Sequence, residues 1–169
     1  VNAILIVPQG PKDAQDSGGG KLELDPGAFK RLIEEITAYL HAQHRIHTTK
    51  IGKIVLTTHS GGYKVTAAIL HLGGLTDHIT DVILLDSSYG SLEWFADWAK
   101  ADPHRRLVSM YTDHLAATNT EFMQMLDKMG VTHQQLDEAT MTDTQLARRG
   151  VTFFHTKGPH NHAPVQYFA

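Results

Sequence analysis

Five short apolar runs, separated by stretches with helical periodicity, constrain this chain more than any other feature. The runs cover residues 4–7, 53–57, 82–85, 107–111 and 151–154. Each has the length and the apolar character of a buried strand. Between them the spacing changes. Phe29, Leu32, Ile33, Ile36 and Leu40 recur every three or four residues and give residues 26–40 one apolar face. Residues 64–72, 92–100 and 120–129 read as helices in the same way, with Phe122, Met125, Leu126 and Met129 inward in the last. Asp25 and Pro26 look like the N-cap and first position of the first helix, and Gly73-Gly74 ends the second. Thr132-His133-Gln134-Gln135 has the form of a capping box that starts a further helical turn.

Buried strands alternating with amphipathic helices call for a mostly parallel sheet of about five strands with helices on both faces, an α/β three-layer sandwich. Right-handed crossovers bring all strand C-termini to one edge. The residues collected there are Gln9, Ser60, Asp86, Asp113 and His160, and ligands of open α/β sheets bind at that edge. The 169 residues suffice for one domain with its own core.

The formal net charge is −3 and the basic residues are scattered, so nothing favours nucleic acid as a partner. No apolar run approaches a membrane span. There is no cysteine, which excludes disulfides, thiolate metal sites and a cysteine nucleophile. Val1 already opens a strand-like run, which suggests an N-terminal portion outside this chain and makes an N-terminal fragment of the same protein a candidate partner. The compartment stays open between cytoplasmic and processed secreted.

One strand-to-helix junction carries chemistry. Thr58-His59-Ser60-Gly61-Gly62 follows the run at 53–57 and enters the helix at 64–72. A serine on so sharp a turn is lifted out of the sheet, and the positions two before and two after it must be small. Gly62 fits; Thr58 departs from the glycine of Gly-x-Ser-x-Gly. The backbone N–H of Gly61 would serve as an oxyanion donor at the positive end of the helix. The plain alternative is that Ser60 only caps a helix. The strand before it and the helix after it favour the nucleophile.

Three segments together resemble the α/β-hydrolase superfamily: Thr58 to Gly62, then Leu84-Leu85-Asp86-Ser87-Ser88-Tyr89-Gly90, then His160-Asn161-His162-Ala163-Pro164. By element order the resemblance spans nearly the whole chain, as a short or N-terminally truncated member. It implies a serine hydrolase of esterase, amidase or peptidase type. Its catalytic triad would run in the order Ser, acid, His, pass through an acyl-enzyme and need no cofactor. The acid is then Asp86, at the end of a buried run, or Asp113, one strand later. The base is His160, with His162 second and His155 at a strand end. The substrate would be a small-molecule or peptide acyl compound. His59 reads as packing beneath the elbow, and Tyr89, Trp94 and Trp98 as core or pocket wall. The second oxyanion donor would come from Pro8-Gln9-Gly10 or from outside these residues.

Two rival readings use the same residues. A non-catalytic binding domain could occupy a hydrolase scaffold. Alternatively His155, His160 and His162, with Asp86 or Asp113, could serve a metal-dependent hydrolase. Gly18-Gly19-Gly20-Lys21 lacks the spacing of a phosphate loop, and the long loop after Pro8 argues against a flavodoxin-like or dinucleotide-binding sheet.

Overall fold

The computed structural model describes residues 3–157. Five strands form a single all-parallel sheet in the order β1-β2-β3-β5-β4: β1 Ile54–His59, β2 Ile79–Leu85, β3 Arg106–Tyr111, β4 His133–Asp137 and β5 Gly150–His155. The helices are α1 Lys21–Leu24, α2 Ala28–Ala42, α3 Tyr63–Leu72, α4 Leu92–Ala101, α5 Ala116–Met129 and α6 Asp143–Leu146. The α/β class and the number of strands agree with the sequence.

The order explains the layering. From β1 to β2 to β3 the chain steps in one direction, so right-handed crossovers put α3 and α4 on one face. The step beyond to β4 continues that direction and puts α5 there too. The return from β4 to β5 reverses it and carries α6 to the other face. The core follows. A large cluster joins Phe29 and Ile33 of α2, Ala67 and Leu70 of α3, Phe95 and Trp98 of α4 and Phe122 and Leu126 of α5 to Val82, Leu84, Leu107 and Phe153 of the sheet. The opposite face buries Leu85, Met110 and Phe154 beneath Met141 and Leu146. Phe122 and Phe153 meet edge to face at 5.4 Å and both are fully buried. Burial of each stabilises the fold by about 1.5–3 kcal/mol.

Three expectations are corrected. Residues 4–7 form no strand; Leu5 and Val7 are exposed, because no neighbouring strand pairs with them. The fifth strand is instead β4, where a capping box was expected at Thr132. Its polar His133, Gln134 and Gln135 suit an edge, and the Gln134 amide donates to Thr152 Oγ1 at 2.8 Å. A capping box does occur ten residues on, at Thr142 and Gln145. Finally, α2 begins at Ala28 with Gly27 as its cap, because the Asp25 carboxylate is held by Arg31 at 2.6 Å. Among the described residues no helix is long and apolar enough to cross a membrane.

Candidate active site

Because every strand runs the same way, the loops after β1, β2 and β3 meet at one edge. The register sets His59 beside Leu85 and Leu85 beside Met110. Ser60 and Asp86 come next, and Thr112 lies just past the end of β3, so the three are neighbours.

Ser60 begins a short 3₁₀ turn, Ser60–Gly62, between β1 and α3. Its φ is +52°, a region that L side chains rarely adopt. A Cβ added at Gly62 would collide with Thr58 Oγ1, so the turn closes tightly enough to require glycine there. The Ser87 hydroxyl donates to the Ser60 carbonyl at 2.7 Å and ties the turn to the end of β2. On the other side the loop at residues 16–18 braces it. Ser17 Oγ donates to the Gly61 carbonyl at 2.8 Å and accepts from the Val65 N–H at 3.2 Å. Asp16 pairs with Lys64 at 2.6 Å. That bond, helped by the Gly18 N–H, holds the Asp16 carboxyl below the usual range, and the same bond raises the Lys64 ammonium. A Cβ at Gly61 would lie 2.6 Å from that of Asp16. The segment that reaches the elbow is thus 16–17, whereas the sequence offered Pro8-Gln9-Gly10 or a part outside these residues.

Asp86 follows β2 directly, is fully buried and also has a positive φ, +47°. Its Oδ1 accepts the Thr112 backbone N–H at 2.9 Å and the Thr112 hydroxyl at 3.0 Å. His114 Nδ1 lies 2.7 Å from that hydroxyl and 3.7 Å from Asp86 Oδ2. On the far side of the ring, His114 Nε2 is 2.8 Å from the Tyr89 phenol, and the Ser60 side chain acts on the same phenol. Burial, with the negative charge of Asp86 beside it, raises Tyr89 above the ordinary phenol value, against the opposing effect of Ser60. The ground beneath is polar and satisfied. Ser88 accepts from Asn119 Nδ2 at 2.8 Å, and Asn119 Oδ1 accepts from Ser109 at 2.7 Å, all three fully buried.

Asp113 goes elsewhere. Its exposed carboxylate lies 2.8 Å from Nε2 of His155 at the end of β5, whose ring stacks on Tyr111 at the end of β3. His160 and His162 lie outside the described residues. Among the described residues no group of three or more His, Asp or Glu could hold a metal ion. Of the aromatic residues singled out, Tyr89 is at the site. Trp94 stacks on His71 at 4.6 Å, and Trp98 is core. Sequence reasoning passed over His114, which only the β2–β3 register brings to Asp86. A cleft of about 370 Å³, lined by Arg105, His133 and Arg149 among others, lies at the opposite edge, where β3, β4 and β5 begin. Ser60, Asp86 and His114 do not line it.

Comparison with protein-family models, with curated proteins and with solved structures returns no match for this chain.

Proposed function

We propose that the protein is a serine hydrolase in which Ser60 attacks an acyl carbonyl and forms an acyl-enzyme. The observation that carries this reading is the Ser60 turn: a serine at positive φ on a strand-to-helix junction, with a glycine two residues on packed against the residue two before it. Strain of this kind persists where surrounding contacts over-determine it, and such places are commonly functional. An ordinary helix-capping serine needs none of it.

Asp86 is the acid of this reading, supported by its burial and by its approach to an imidazole through Thr112. Asp113 is the weaker alternative, exposed and engaged with His155. The base is a histidine: element order favours His160, with His162 second, and the hydrogen bonds of Asp86 lead to His114. Gly61 N–H is the proposed oxyanion donor. The substrate class is an ester, amide or peptide with an accessible acyl carbon, and no cofactor takes part.

Turnover of a panel of activated esters and amides tests the reading. The purified wild type is expected to hydrolyse at least one of them. Ser60→Ala should lower kcat by at least about 1,000-fold with little change in KM, the pattern of an interaction made only in the transition state. Equal turnover by both proteins rejects it.

A further inference from the structure

The geometry points to His114 as the acceptor of the Ser60 proton, reached through the phenol of Tyr89. This rests on Ser60 being the nucleophile and assigns the base of that same site. The hydrogen-bond polarity is fixed from one end. As a carboxylate, Asp86 can only accept. The backbone N–H and the hydroxyl of Thr112 therefore both donate to it, at 2.9 and 3.0 Å. That uses the one proton on Thr112 Oγ1. Nδ1 of His114, 2.7 Å from the same oxygen, must then be the donor and carries the ring proton. In the neutral imidazole Nε2 then keeps its lone pair and accepts the Tyr89 hydroxyl at 2.8 Å. With its own proton committed to Nε2, the Tyr89 oxygen can accept from Ser60, whose turn is tied to Ser87, two residues before Tyr89, and whose side chain acts on the phenol. Every proton between Ser60 and His114 points toward the imidazole.

In the acylation step Ser60 Oγ bonds to the acyl carbon and the carbonyl π pair moves to oxygen. The Ser60 proton passes to Tyr89 Oη while the Tyr89 proton passes to His114 Nε2. The imidazolium lies 3.7 Å from the Asp86 carboxylate, which stabilises it. On collapse the bond to the leaving group breaks and the proton returns along the same path to that group. Water then repeats the sequence on the acyl-enzyme. Tyr89 suits the task because it stays a neutral phenol that can give and take a proton together. In this scheme Tyr89 touches the reacting oxygen and is a catalytic residue, whereas His114 acts through it.

The test is the second-order rate at which a fluorophosphonate phosphonylates Ser60, with loss of fluoride, in wild type, Tyr89→Phe, His114→Gln and the double variant, with a proton inventory in mixed light and heavy water. Each single variant is expected to lose about 100-fold, within the usual range for general base catalysis. The double variant should lose no more than either single, because both cut one relay. The wild-type inventory should curve, with two protons in flight, and that of Tyr89→Phe should not. Wild-type rates in Tyr89→Phe, or losses that multiply in the double variant, overturn the relay and leave Ser60 as nucleophile. Absence of wild-type labelling removes both. Tyr89→Phe deletes one hydroxyl from a part-exposed ring, so it remains informative if His114→Gln fails to fold.

Discussion

At the scale of single residues, the molecule spends strain at its sheet edge and charge pairing at the opposite end. Ser60 and Asp86 both sit at positive φ, at a cost of about 1–3 kcal/mol each. Their neighbours offset it: Ser87 on the Ser60 carbonyl and Thr112 on the Asp86 carboxylate. At the other end Asp81 is nearly buried between Arg106 at 2.6 Å and Arg149 at 3.0 Å. Burial alone would raise its carboxyl, but the Thr80 hydroxyl and the two guanidinium groups together hold it below the usual range. A carboxyl lowered in the folded state stabilises above its unfolded value of about 3.9 and loses that contribution as pH falls through the folded value. Asp81→Asn should therefore cost about 1–2 kcal/mol at pH 7, discounted for the partial exposure of both arginines, and the gap from wild type should narrow below about pH 4. Denaturant titrations of both proteins across this range check it; a gap that stays constant with pH argues against the ion pairs.

The element that matters most is the unit β1–turn–α3. Its close packing predicts that Gly62→Ala destabilises the protein by about 1–3 kcal/mol, since the new methyl overlaps Thr58 Oγ1. Adding Thr58→Ala removes that oxygen and should restore much of the loss, which thermal melts of the two variants would register. A Gly62→Ala protein that melts with wild type contradicts the tight turn. This unit was legible in the sequence because a strand, a serine, two glycines and a helix are all local signals. The same locality misled elsewhere. Ile4 to Val7 look like a strand by composition, yet strand pairing is non-local and they have no partner. Residues 133–137 look unlike one, because an edge strand beside β5 needs little apolar surface. At the site, Ser60 and Asp86 were readable from the ends of apolar runs. His114 was not, and Tyr89 was read only as core or pocket wall, since the two lie 25 residues apart and meet only through the register of β2 and β3.

For the whole molecule, one direction of travel along the sheet sets everything else. It puts α3, α4 and α5 over one face, leaves the other to α6 and its neighbours, and stacks the turns after β1, β2 and β3 side by side. A parallel sheet thereby brings a strained serine, a buried carboxylate and an imidazole to one edge from three separate stretches of chain. The most direct measurement of what that edge does is peptide mass mapping of the protein after reaction with a fluorophosphonate. The account predicts one phosphonylated residue, Ser60, and no adduct on Ser60→Ala. An unlabelled wild type, or an adduct that persists in Ser60→Ala, would contradict it.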